Sequence, residues 1–131
     1  MLADILAGYL QVFQFDNLMY VVLGTLIGVA LGAFPGLDCT IGVALLLPVT
    51  YGMTPAQAIM LLSALYGGGV YAGQIPAILF RVPGAPEAIM TTLDGYPMAQ
   101  KGQAGKALGA GLAASVAGGL FGVIGLTFIT P

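Results

Sequence analysis

Three short stretches of this chain carry residues that can do chemistry, and none relies on a basic side chain. Pro35-Gly36-Leu37-Asp38-Cys39-Thr40 lies between two apolar runs. A loop there exposes backbone N–H groups, and the following helix starts with partial positive charge. Together they make a site for an anion, with the Thr40 hydroxyl as a further donor. The competing reading is a tight turn at a membrane surface. Asp38 is the only acidic residue near the apolar centre of the chain. A carboxylate kept inside a membrane is costly and usually functional, so Asp38 is a candidate ligand for a coupling Na⁺ or a carrier of H⁺. At the water interface it would be ordinary. Tyr66-Gly67-Gly68-Gly69 and Gly73-Gln74 offer carbonyls and amides where a helix is expected to break, and Gln74 can both donate and accept. Packing alone is the rival explanation for those glycines.

Other chemistries are excluded. The chain has no His and a single cysteine, Cys39, which rules out a His/Cys metal site or an intrachain disulfide. Asp4, Asp16, Asp38, Glu87 and Asp94 are scattered singly, which gives no metal cluster. Ser63 and Ser115 have no base nearby in sequence, so an intramembrane hydrolase has no nucleophile pair. Gly102 to Lys106 fails as a phosphate loop, because position 100 is Gln and Lys106 is followed by Ala. Three basic residues and a net charge of −2 give no nucleic-acid surface.

The elements that must hold these residues belong in a bilayer. Of 131 residues, 59% are hydrophobic and 6% charged, and mean hydropathy is +1.01. Soluble domains carry about 25% charged residues. Positions 39–80 contain no charge, yet Pro48, Pro55, Pro76 and the Gly67-Gly68-Gly69 triplet punctuate them. Broken helices survive in hydrocarbon only where protein or a polar cavity satisfies the backbone, and transporters build sites from them. The reading is an all-α, polytopic membrane protein fragment with transmembrane helices plus broken or re-entrant helices.

Along the chain, residues 1–15 read as an interfacial amphipathic helix with Leu2, Ile5, Leu6, Tyr9, Leu10 and Phe13 on one face, too short to span. Its start lacks the positive region of a cleaved leader. Asp16 or Asn17 is expected to cap a spanning helix over 18–34, whose Gly24, Gly28 and Gly32 form a close-packing stripe. Pro35-Gly36 ends it. Residues 41–47 make half a span, stopped by Pro48, with 49–53 turning back as a re-entrant arm. A crossing helix kinked at Pro48 is the rival. Thr54-Pro55 starts a helix that the triplet should loosen and Gly73 to Pro76 should break. Residues 81–106 hold every basic side chain (Arg81, Lys101, Lys106) and face the cytoplasm by the positive-inside rule. Within them, 82–86 and 94–97 read as turns and 87–93 as a short helix. Residues 107–129 form a second span with Ala114, Gly118 and Gly122 as a small-residue stripe. The end at Pro131, straight after an apolar run, reads as a truncation.

A family resemblance sits on these same motifs. Gly28-x-x-x-Gly32-x-x-Pro35-Gly36-Leu37 with Gly42 to Pro48 resembles the signature of the TctA family, the large membrane subunits of bacterial tripartite tricarboxylate transporters. The likeness continues through Tyr66-Gly67-Gly68, residues 77–79 and Val82-Pro83-Gly84-Ala85-Pro86. It is most specific at Leu93-Asp94-Gly95-Tyr96-Pro97-Met98-Ala99, then Lys101-Gly102 and residues 105–109. Residues 17–131 thus look like the N-terminal part of a TctA-type domain, incomplete at its C-terminus. The resemblance implies a permease component of an ion-coupled secondary transporter, not an enzyme, in the bacterial inner membrane. It implies uptake of a di- or tricarboxylate, a coupling ion (Na⁺ or H⁺) and no other cofactor. It also implies two partners, a small membrane subunit and a periplasmic solute-binding protein. Its substrate contacts would come from Pro35, Gly36, Leu37, Asp38, Thr40, Tyr66, Gly67, Gly73, Gln74, Pro83 and Gly84. The chain departs from the family pattern at Asp38-Cys39, Gly73-Gln74, Arg81, Ala85 and Glu87, and Arg81 with Glu87 is a candidate compensating pair. The alternative function is a truncated, non-transporting fragment that acts only in helix packing or assembly.

Overall fold

The computed structural model describes residues 2–129, with side-chain surroundings from residue 5 onward. The packing side assigned to Leu2 and the chain's end at Pro131 lie outside the described residues. All regular structure within them is helical. It comprises α1 (Leu2–Val12), α2 (Phe15–Gly32), α3 (Cys39–Leu46), α4 (Pro55–Ala72), α5 (Gln74–Phe80), α6 (Thr91–Gln100) and α7 (Ala104–Ile129). Two 3₁₀ turns, Leu47–Gly52 and Pro86–Ala88, complete it. Three stretches are long and apolar enough to cross a membrane: Phe15–Gly32, Pro55–Phe80 and Ala104–Ile129.

The centre of the fold is the contact between α2 and α4. A Cβ on Gly24 would strike the Leu61 carbonyl, one on Gly28 the Leu65 carbonyl, and one on Gly32 the Gly69 carbonyl. The every-fourth-residue stripe of α2 therefore lies directly on the backbone of α4, as small-residue stripes permit. Leu61 and Leu65 are buried at this seam. The triplet was expected to loosen α4, but α4 runs unbroken through Gly67, Gly68 and Gly69. Gly68 and Gly69 are contact surface: their Cβ positions would meet Thr25 and Cys39. Tertiary packing here outweighs the weak helix propensity of glycine, about 1 kcal/mol per residue.

The matched pairs climb together along both helices, so α2 and α4 run in the same direction. The chain must therefore travel back between them. Pro55 precedes Gly69 by 14 residues, roughly 21 Å at 1.5 Å per residue. The 8 residues of α3 and the 6 of the following 3₁₀ turn each give roughly 12 Å, at 1.5 and 2.0 Å per residue. That covers the distance. Residues 49–53 do not turn back; α3 and the 3₁₀ turn run on to the start of α4, with Pro48 in the first turn of the 3₁₀ segment as the kink.

Boundaries elsewhere follow local chemistry. Thr54 forms a capping box with Gln57, and Pro55 occupies the first turn, as its sequence predicts. Asp16 and Asn17 do not cap α2. The helix starts at Phe15, and the buried Asn17 amide donates to the Gln11 carbonyl at 2.7 Å, tying α1 to α2. Residues 94–97 are not a turn. They lie inside α6 despite Pro97, because buried Gly95 seats α6 against Ile78 of α5. The expected helix at 87–93 is split into the 3₁₀ turn at Pro86–Ala88 and the start of α6. On α7, Gly118 and Gly122 meet nothing within 4 Å.

Candidate functional site: a hollow between two Pro-Gly loops

The end of α2 and the end of α5 lie at the same side of the bundle, and each continues into a Pro-Gly loop. After α2, Gly36 takes φ 92°, a left-handed conformation that glycine adopts without cost. Leu37 N–H donates back to the Phe34 carbonyl at 3.2 Å. After α5, Arg81 takes φ 58° and the chain enters Val82-Pro83-Gly84-Ala85. Gly84 N–H donates to the Gly73 carbonyl at 3.1 Å. A Cβ at Gly84 would lie 2.7 Å from the Gly32 carbonyl oxygen and 2.9 Å from the Gly73 Cα. Only glycine fits where the second loop wedges between α2 and the α4/α5 junction.

Between the loops is an open hollow of about 290 Å³, lined by Gly36 and Asp38 on one wall and Pro83, Gly84, Ala85, Pro86 and Ile89 on the other. Asp38 precedes α3, and its carboxylate accepts from the Cys39 thiol at 3.1 Å and the Thr40 hydroxyl at 2.9 Å. These bonds, that of Cys39 first, hold the Asp38 carboxyl below the ordinary carboxylate range, against a smaller opposing effect of burial. No lining residue is basic.

Of the sequence-predicted residues, Gly36, Asp38, Pro83 and Gly84 come together at this hollow. Pro35 stands exposed in the same turn. Leu37 and Gly84 spend their N–H groups within the fold, and Thr40 spends its hydroxyl on Asp38. Gly73 supports the hollow from behind through its carbonyl. Tyr66 and Gly67 sit inside intact α4, so their backbone groups are not loose ends at a break. The Tyr66 hydroxyl instead lies 3.5 Å from the Glu87 carboxylate. Gln74 turns away to α7, its amide 3.5 Å from the Ser115 hydroxyl. Arg81 and Glu87 each take another partner. The Arg81 guanidinium lies over the Tyr96 ring, 5.8 Å from its centroid.

Residues 18–131 match a family model described as "Tripartite tricarboxylate transporter TctA family". The chain belongs to the TctA family. Over 115 residues it is 36% identical to a protein of Agrobacterium vitis named "Uncharacterized 52.8 kDa protein in TAR-I ttuC' 3'region", covering 88% of this chain and 23% of that one. The chain thus spans about a quarter of that relative's length. No solved structure matches it.

In this TctA-family chain Ala85, Pro86 and Ile89 also line the hollow and were not among the residues expected there. The first two adjoin the Pro83-Gly84 pair and were within reach of the sequence. Ile89 carries no signal, since an apolar residue in an apolar chain looks like any other.

Proposed function

We propose that this chain forms part of the large membrane subunit of a tripartite, ion-coupled carboxylate transporter, and that the hollow between the Pro-Gly loops contacts the substrate. One observation carries the reading: two glycine-dependent loops, 47 residues apart at Gly36 and Pro83, meet around one cavity. Family membership supplies the transport class, and the site belongs to a transporter rather than an enzyme. A small membrane subunit and a periplasmic solute-binding protein complete the system. The substrate is a di- or tricarboxylate.

The location is the bacterial inner membrane, crossed several times. Arg81, Lys101 and Lys106 all lie at the end of the bundle that holds the hollow, so that end faces the cytoplasm. The hollow is then the inward-facing end of the path. The coupling ion is Na⁺ or H⁺. Asp38 is the one acidic side chain lining the hollow, and its carboxylate is already engaged by the Cys39 thiol and the Thr40 hydroxyl.

Filling the hollow tests the proposal. Ile89 lines it and is 53% exposed, so Ile89→Trp adds bulk there without disturbing the core. Carboxylate uptake should fall about tenfold, the rate equivalent of 1.36 kcal/mol, with membrane abundance unchanged. Uptake at the normal rate would remove the hollow from the path.

A further inference from the structure

We propose that Tyr66 and Glu87 are a positioning pair, in which the Tyr66 hydroxyl holds the Glu87 carboxylate aside from an anion in the hollow. The proposal rests on the reading of the hollow as a carboxylate site.

Glu87 sits in the 3₁₀ turn Pro86–Ala88, with lining residues on both sides of it in sequence, Pro86 before and Ile89 after. Ala85 and Ala88 are buried on the inner side of this turn at 4% and 1% exposure. Glu87 is exposed, and its carboxylate is directed to the Tyr66 hydroxyl, a contact across 21 positions of sequence. Tyr66 belongs to α4, three residues before Gly69, and positions i and i+3 are neighbours on a helix surface. Gly69 abuts Cys39, directly behind the Asp38 wall. One turn of α4 therefore touches both walls, at Cys39 through Gly69 and at Glu87 through Tyr66.

Charge makes this geometry consequential. Asp38 already puts one carboxylate into a hollow with no basic lining residue. A second carboxylate swinging toward it would repel an anionic substrate, and like charges brought together in a binding site are strongly unfavourable. Neither Tyr66 nor Glu87 lines the hollow, so the Tyr66 hydroxyl gives Glu87 a donor outside the lining, which fixes where that charge points. Arg81, the nearest basic residue in sequence, is held over Tyr96 and does not neutralise it.

Uptake of radiolabelled succinate, malate, tartrate and citrate is measured for the complete transporter, and KM is determined on the best of the four. Tyr66→Phe removes only the hydroxyl. It should raise KM about tenfold with kcat nearly unchanged, the pattern of weakened substrate binding. Glu87→Gln alone should stay within about twofold, inside the range of an ordinary surface change. The double variant Tyr66→Phe/Glu87→Gln should return KM to near the unaltered value, because the unrestrained charge is gone. A structural role for Tyr66 would lower abundance and show no such rescue. An unchanged KM in Tyr66→Phe, or a double variant as impaired as Tyr66→Phe alone, overturns the pair. Failure of the unaltered protein to take up any of the four acids overturns the carboxylate reading itself.

Discussion

Asp38 holds two positions at once. It is the residue before α3, with its carboxylate bonded to Cys39 and Thr40, and it lines the hollow. A carboxyl lowered on folding adds stability above its unfolded value, about 3.9. That stability is lost as pH falls through the still lower folded value. The Asp38 side chain makes no capping bond to the α3 backbone, and the amide oxygen of Asn still offers one acceptor to Cys39 or Thr40. Asp38→Asn should therefore keep uptake, its Na⁺ dependence and its pH profile near neutrality. A large loss of apparent Na⁺ affinity in that variant would transfer Asp38 from a local structural role to the ion site.

At the scale of elements, glycine does two different jobs that composition cannot tell apart. The stripe Gly24, Gly28, Gly32 was legible because its four-residue spacing has one meaning on a helix, a close approach. The triplet at 67–69 was not, because consecutive glycines serve equally as a break or as a flat contact surface. What decides is a partner chain segment, Thr25 and Cys39, that lies far away in sequence. Pro97 misled for the same reason. A proline in a helix costs about 3 kcal/mol relative to alanine, but α6 recovers stability by packing Gly95 on Ile78. The direction of the segment after α3 was equally hidden, since it depends on α2 and α4 running in parallel. Two substitutions separate the two jobs of glycine. Gly28→Leu puts a side chain into the backbone of α4 at Leu65 and should destabilise by about 1–3 kcal/mol or more. Gly67 meets nothing within 4 Å inside intact α4, so Gly67→Ala should stabilise by about 0.5–1 kcal/mol. Thermal unfolding in detergent reads both. Destabilisation by Gly67→Ala would mean that α4 opens at the triplet.

On the scale of the whole molecule, the chain alternates direction through α2, the kinked segment after it, α4 with α5, and α7. The two loops and all three basic residues gather at one end. At the other end, α1 meets the last turns of α7 around Tyr9, Val123 and Thr127. None of the spanning window of α7 is buried against the rest of the described chain. A carboxylate that occupies the hollow from the cytoplasmic end would shield the side chain at position 89 from labelling. Ile89→Cys in a Cys39→Ser background, which keeps a donor for Asp38, is treated with an impermeant thiol reagent in inside-out and right-side-out vesicles. Leu93→Cys, on exposed α6 and outside the lining, serves as control. Both variants should be labelled only in inside-out vesicles, with the transported carboxylate protecting Ile89→Cys and not Leu93→Cys. Labelling from the outside, or no protection of Ile89→Cys at carboxylate concentrations that saturate uptake, would contradict occupancy of the hollow from the cytoplasmic end.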